Sequence, residues 1–279
     1  MIVAENLTKI YDNGAKGIEH LTVRIEDGEF VFVVGNSGSG KTTLLKNICG
    51  LLRPAHGKIF IRGKDTEKMG LAEIAKETGF VMQNPDQQLF ESTVFDEVAF
   101  ALKHGGLSAK ELRQKTELSL AAAGILDKRD VFPPILGRAD RIKTVIASVL
   151  AMGSKIIILD EPAAGQDYLG CRMIMDLAAD LRRQGCTIIM VTHNMSIAAE
   201  YAQRLIVLKT GCVYMDGKPE DIFGRTEELA LAGILPPQIT RLSQTLRKYI
   251  PLAKDALTPA ELAAMLVSLK SRKTNNDMV

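Results

Sequence analysis

A chain of 279 residues with 46% hydrophobic and 24% charged residues has the apolar content to bury a full core, and its length admits one or two domains. Its 35 basic and 33 acidic residues leave a formal charge of +2, which removes the global electrostatic reason to expect nucleic acid as the partner. MIVAENLTKIYDNG at the start lacks a basic segment followed by an apolar run, and nowhere do roughly 18 consecutive apolar residues occur, so the expectation is a cytosolic chain with no membrane span of its own.

Short apolar runs rich in Val and Ile predict buried strands: EFVFVVG (29–35) and KIIILDEP (155–162), each stopped by glycine or proline, and TIIMVTH (187–193) as a third. Helical spacing lies between them, as in MIMDLAADLRRQG (173–185) with its glycine stop. Alternation of strand and helix predicts an α/β fold with a mostly parallel sheet covered by helices. RLIVLKTGCVYMDGKP (204–219) reads instead as a hairpin turning at Thr210-Gly211. From about residue 225 the pattern is helical, and TPAELAAMLVSL (258–269) opens with Thr258 as N-cap, Pro259 in the first turn and Glu261 closing a capping box. The expected division is therefore a main domain over 1–224 and a small helical extension over 225–279, whose polar end SRKTNNDMV is expected to fray. Cys49, Cys171, Cys186 and Cys212 match no metal spacing and read as free thiols without function.

GNSGSGKTT (35–43) fits G-x-x-x-x-G-K-[ST] directly after an apolar strand and directly before the helical TTLLKNICGLL. Gly35, Gly38 and Gly40 let the backbone turn its N–H groups onto phosphate oxygens, with Asn36, Ser37 and Ser39 completing the loop. Lys41 then serves the β and γ phosphates, Thr42 offers its hydroxyl to Mg²⁺, and Thr43 offers a neighbouring hydroxyl or N–H, so the cofactors expected are ATP and Mg²⁺. Asp160 at the end of the second strand is expected to hold the metal shell, and the adjacent Glu161 to orient or deprotonate the attacking water. His193 ends the third strand, on the edge where open α/β sheets bind ligands.

With these residues in place the chain resembles the ATP-binding-cassette ATPases over about residues 1–224. The resemblance implies a mostly parallel core sheet, an antiparallel β subdomain, and a helical signature subdomain at about 84–152. It further implies that Tyr11 stacks on adenine, that Gln83 in FVMQNPDQQLF is the glutamine of the Q-loop reaching metal and water, and that His193 is the switch histidine. AAGQD (163–167) matches the D-loop, with Asp167 as its aspartate and Gln166 where leucine is usual. QNPDQQLF and GILPPQITRLSQTLRKYIP are most similar to the ATPases of energy-coupling-factor importers of vitamins and of cobalt or nickel ions. That narrower resemblance implies a second ATPase subunit, an integral membrane coupling protein and a substrate-binding membrane subunit as partners. It also implies a peripheral position on the cytoplasmic face of the membrane and no nucleic acid.

The signature segment of this subfamily commonly reads L-S-x-G-[EQ]-R-Q-R-V-A-x-A-S-V-L-A-M. Leu136, Arg141 and the run Ala147–Met152 keep its register in ILGRADRIKTVIASVLAM. Gly137 stands in the serine's place, Arg138 in the variable one, Ala139 in the glycine's, and Asp140 where Glu or Gln is usual. In the family this segment, with the D-loop aspartate, completes the nucleotide site of the other subunit across a head-to-tail dimer. Gly137, Arg138, Ala139, Asp140 and Asp167 are therefore the expected contacts across such a dimer, and the altered segment implies an asymmetric heterodimer with an intact partner. Leu89, Phe90, Phe95, Val98 and Phe100 in LFESTVFDEVAFAL are a candidate dock for a helix of the membrane protein, or else core. The competing readings are a soluble cassette ATPase acting on DNA or ribosomes and a nucleotide sensor that does not hydrolyse. Near-neutral charge, one visible cassette and the absence of a long coiled-coil insertion speak against the first, and intact Gln83, Glu161 and His193 against the second.

Overall fold

The computed structural model describes all residues except 104, 253 and 277–279, with backbone alone over 271–276. In chain order, β1 (Ile2–Ile10), β2 (Lys16–Ile25) and β3 (Phe30–Val34) lead through the glycine-rich loop into α1 (Lys41–Ile48). β4 (His56–Ile61), β5 (Lys64–Asp65), α2 (Leu71–Glu77) and β6 (Thr78–Val81) follow. Next come α3 (Val94–Phe100), α4 (Ala109–Ala122), α5 (Arg138–Ala151), β7 (Ile156–Asp160), α6 (Tyr168–Arg183), β8 (Thr187–Val191) and α7 (Met195–Tyr201). The hairpin β9 (Arg204–Lys209) and β10 (Cys212–Gly217) precedes α8 (Pro219–Gly224), α9 (Thr226–Leu231), α10 (Gln238–Leu246) and α11 (Pro259–Asn276).

Six strands form the core sheet in the order β10-β9-β3-β8-β7-β6, and its antiparallel edge is the β9–β10 hairpin. The β3–β8, β3–β9, β6–β7 and β7–β8 pairs are parallel, as the alternation of strands and helices requires. Every residue of β3, β7 and β8 is buried because both faces of the sheet are covered, which explains the unbroken apolar runs. Successive residues serve opposite faces: Phe32, Ile157 and Ile188 pack under α5 and α6, while Val31, Ile158 and Ile189 pack with α1 and the second sheet. That second sheet is antiparallel in the order β2-β1-β4-β5. Thr210 (φ 47°) and Gly211 (φ 81°) supply the two left-handed residues that a two-residue hairpin turn of this hand needs.

Helices α3, α4 and α5 enclose a core of their own around Val94, Val98, Leu120, Ile125 and Ala147. Thr93 caps α3 by accepting from the Asp96 N–H at 3.0 Å, and Ser108 with Glu111 forms a capping box on α4. Beyond the expected boundary at 224/225, Leu229, Ala232 and Ile234 still pack into the main core, whereas Leu252, Ala256 and Leu262 form a separate small cluster with Ile239. At the start of α11 the Thr258 hydroxyl accepts from the Glu261 N–H at 3.2 Å, but the Glu261 carboxylate accepts from Leu257 at 2.8 Å, one residue earlier than in a capping box. The backbone of SRKTNNDMV is helical through Asn276, and its last three residues, where fraying was expected, lie outside the described set. Among the described residues no helix is long and apolar enough to cross a membrane.

The consequence of the parallel core is geometric. β3, β6, β7 and β8 end on one edge of the sheet, and Gly35, Gln83, Asp160–Glu161 and His193 are the residues at or just beyond those ends.

Candidate active site

The glycine-rich loop is built as a cradle. Gly38 (φ 77°) and Gly40 (φ 100°) occupy backbone conformations that side chains oppose, and a Cβ on Gly40 would lie 2.5 Å from the Gly17 carbonyl. α1 therefore starts with its N–H groups aimed into the loop. The Lys41 side chain folds back over it, donating to the Gly35 carbonyl at 2.8 Å and the Asn36 carbonyl at 2.9 Å. Burial pushes the Lys41 amine below its usual pKa, opposed by the charges of Glu161 and Asp160. Among the described residues the buried Ser39 hydroxyl has no hydrogen-bond partner. A desolvated cation, an orphaned hydroxyl and converging N–H groups fit an anion the size of a polyphosphate. Thr43 meets the Tyr11 hydroxyl at 2.8 Å, so Tyr11 borders the loop with its side chain partly exposed.

Asp160 is buried at the end of β7 and accepts from the Thr42 hydroxyl at 3.3 Å. Desolvation raises the pKa of its carboxyl, and the Thr42 hydroxyl opposes that shift. Hydroxyl, carboxylate and amide oxygens from Thr42, Asp160 and Gln83 are the hard donors that magnesium takes. Among the described residues no group of three or more His, Cys, Asp or Glu could hold a metal by itself.

Glu161 has the left-handed φ of 49°, a conformation that costs a non-glycine residue of order 1–3 kcal/mol and needs outside support. Its N–H supplies some by donating to the Val191 carbonyl of β8 at 3.0 Å. The turned backbone sets the Glu161 carboxylate between two loops: His193 Nε2 lies 2.8 Å from Oε1, and Gln83 Nε2 donates to Oε2 at 3.3 Å. Two side chains, 78 positions before and 32 positions after Glu161, thus share its carboxylate. A cavity of about 560 Å³ opens between Glu161, His193, Leu235, Pro236, Pro237 and Arg241. The segment before α10 also reaches the glycine-rich loop, since a Cβ on Gly233 would fall 1.9 Å from the Asn36 side-chain amide.

The altered segment is occupied within its own chain. Gly137 is the N-cap of α5 and provides no side-chain cap, and a Cβ there would meet nothing within 4 Å. Ala139 is half-buried against the main core. Arg138 donates to the Gln83 carbonyl, Arg141 pairs with Asp86 at 2.5 Å, and Asp140 pairs with Lys128 and lies 3.7 Å from Lys143. Asp167 caps α6 by accepting from the Gly170 N–H at 2.7 Å. Of the five candidates for a dock, Val98 is buried and Leu89 and Phe95 are half-buried against the cores, so only Phe90 and Phe100 are exposed, stacked edge to face at 4.8 Å. A groove of about 300 Å³ lined by Leu51, Leu71, Phe80 and Met152 runs beside Phe100.

Sequence reasoning missed the residues that shape the Q-loop. Gln88 binds both the Met82 N–H and the Phe80 carbonyl at 2.8 Å, and the buried Glu97 carboxylate accepts from the Phe90 and Glu91 N–H groups at 2.8 Å. The Asn84-Pro85 turn was the available signal, since Asn84 caps the short helical turn Pro85–Gln87 through the Asp86 N–H. The cysteines are free, and burial pushes the Cys49 thiol up to about 12, which leaves it unreactive.

The family model described as ABC transporter matches residues 18–164. The chain is 38% identical over 269 residues to an energy-coupling factor transporter ATP-binding protein EcfA2 of Caldanaerobacter subterraneus, covering 93% of this chain and 94% of that protein. It is 35% identical over 278 residues to the corresponding EcfA1 protein of Clostridium perfringens, covering 97% and 99%. A putative ABC transporter ATP-binding protein of Methanosarcina acetivorans is 37% identical over 265 residues, or 95% of this chain, yet the chain spans only 43% of that relative's length. Among solved structures, cbiO1 of Clostridium perfringens, part of the ABC transporter complex cbiONQ, superposes with a TM-score of 0.77 at 30% identity, covering 90% of this chain and 95% of that one. A family model spanning more than half of the sequence, joined to relatives that match it nearly from end to end, places the chain in the ABC transporter family.

Proposed function

We propose that the chain energises an energy-coupling-factor importer of a vitamin or transition-metal ion. In this reading it sits peripherally on the cytoplasmic face of the membrane, beneath an integral coupling protein that carries a substrate-binding subunit. The convergence of Gln83 and His193 on Glu161 beside the glycine-rich loop carries the reading, because a nucleotide-binding module without hydrolysis has no use for a strained and doubly oriented carboxylate. The near-full-length relatives with the energy-coupling-factor name support the narrower assignment.

The residues take these roles. N–H groups from Gly35 to Thr43 bind phosphate oxygens, Lys41 places its charge on the β and γ phosphates, and Tyr11 offers its ring to the adenine. Thr42, Asp160 and Gln83 hold Mg²⁺, which neutralises phosphate charge when bound. Glu161 orients the attacking water and takes its proton, while His193 fixes the carboxylate for that task. Gly137 lacks the hydroxyl and Ala139 carries a methyl where a partner's nucleotide would dock. We therefore assign the chain to an asymmetric pair, in which a second ATPase subunit with an ordinary signature completes the site on Lys41. Phe90, Phe100 and the groove beside them fit a helix of the coupling protein.

The test is co-purification from detergent-solubilised membranes with mass spectrometry of the captured chains. A second cassette ATPase and an integral membrane protein are expected with the wild-type chain. Phe90→Asp, which disturbs no core because Phe90 is 65% exposed, is expected to lose the membrane protein and keep ATP binding. Capture of ribosomal proteins or DNA-bound partners instead would overturn the transport reading.

A further inference from the structure

The Q-loop is held to the sheet at Phe80 and Met82 through Gln88, and to α5 at Asp86 through Arg141. Gln83 lies between these ties, and among the described residues its backbone makes one hydrogen bond: its carbonyl accepts from Arg138. That bond is charge-assisted, and no carboxylate of the described residues pairs with the Arg138 guanidinium, so its charge is directed at the loop. Arg138 Nε is buried with no hydrogen-bond partner among the described residues, and a Cβ on Gly165 would come within 3.9 Å of it, so the side chain runs from the Q-loop to the 163–167 turn that follows Glu161. The Gln83–Glu161 contact is long at 3.3 Å, near the limit where a small displacement of the Gln83 peptide breaks it.

We infer that Arg138 is a positioning residue for the nucleotide site of its own chain: by gripping the Gln83 carbonyl against the 163–167 turn, it keeps the Gln83 amide on Glu161 and in reach of the Mg²⁺ position. The inference rests on the roles of Gln83 and Glu161 proposed above and adds that the altered signature segment acts in cis. A guanidinium suits the task because one nitrogen binds the carbonyl while Nε lies beside Gly165. A residue that served only the partner's nucleotide would leave the isolated chain indifferent to its removal.

That difference is the test, made on the isolated full-length chain with a fluorescent ATP analogue, with and without Mg²⁺, and with hydrogen exchange of the 82–88 amides. Arg138→Ala should leave Mg²⁺-free affinity within about twofold and reduce the Mg²⁺-dependent gain by about three- to tenfold, the weight of one ordinary hydrogen bond, because the Gln83 amide is loosened rather than removed. Exchange over 82–88 should quicken, with little change in melting temperature. Arg138→Lys should recover much of both, because an amine still reaches the carbonyl. Wild-type behaviour of Arg138→Ala in both measurements would assign the residue to the partner's site alone and overturn the inference. An equal loss with and without Mg²⁺, together with a lower melting temperature, would overturn it in favour of a general structural role. A wild-type chain with no Mg²⁺-dependent gain would instead sink the proposed role of Gln83, and the exchange measurement would still decide the grip on its carbonyl.

Discussion

Gly137→Ser tests whether the altered signature is a loss that can be reversed. Gly137 has φ −60° and ψ 154°, an extended conformation open to any residue, and a Cβ meets nothing within 4 Å, so serine enters without strain. As N-cap of α5 it can bond the first-turn N–H groups, which glycine leaves uncapped, for a few tenths of a kcal/mol over glycine. That net figure already contains the reduced freedom of the unfolded chain, so the gain of about 0.3–0.5 kcal/mol raises the melting temperature by about 1–2 °C. Adding Ala139→Gly should cancel this gain: glycine in the first turn costs up to about 1 kcal/mol, and the lost methyl, half-buried against the core, costs up to about 0.8 kcal/mol more. Melting and function thus separate, because the double variant is the less stable chain yet carries both the serine hydroxyl and the bare glycine. Steady-state ATP hydrolysis by the purified double variant should exceed that of wild type wherever the chain self-associates. A fall in melting temperature for Gly137→Ser would refute the open N-cap. Equal, brisk hydrolysis by wild type and double variant would refute the asymmetric pair.

Glu161→Gln keeps the size and the contact with Gln83 but removes the base, so ATP binding should persist while single-turnover hydrolysis in the assembled complex falls by about 10²–10⁴-fold. An unchanged chemical step would remove Glu161 from its role. Asp160→Asn should stabilise the nucleotide-free chain at pH 7 and weaken Mg²⁺-dependent ATP binding by about tenfold, the weight of one contact to a charged group. The sign follows from burial: the folded carboxyl has a raised pKa, so ionisation opposes folding, and the cost grows as pH rises from the unfolded value toward the folded one. The gain in melting temperature should therefore shrink as pH is lowered from 7 toward 4. A gain independent of pH would assign it to packing.

The glycine-rich loop, the acidic pair at the end of β7 and the buried strands around them were legible in the sequence as local structure. A tight loop ahead of a helix needs consecutive residues of particular conformational freedom, and a strand covered on both faces needs an unbroken apolar run, so GNSGSGKTT and KIIILD carry their own context. The hairpin at Thr210-Gly211 was legible for the same reason. The start of α11 was legible only in part, since Thr258 caps as its sequence demands while Glu261 turns to Leu257, a choice set by where the preceding chain approaches.

What the sequence left undecided depended on residues far apart in the chain. Spacing alone could not say that Gln83 and His193 meet on one carboxylate, since only the parallel order β3-β8-β7-β6 brings their loops to the same edge. Composition could not sort Phe90 and Phe100 from Val98, Leu89 and Phe95, because exposure depends on which side of α3 meets α5. Nor could an altered motif reveal where its arginine goes. Arg138 and Gln83 are 55 positions apart, and their contact exists because α5 starts beside the loop that ends β6, a proximity fixed by the packing of the helical subdomain on the sheet.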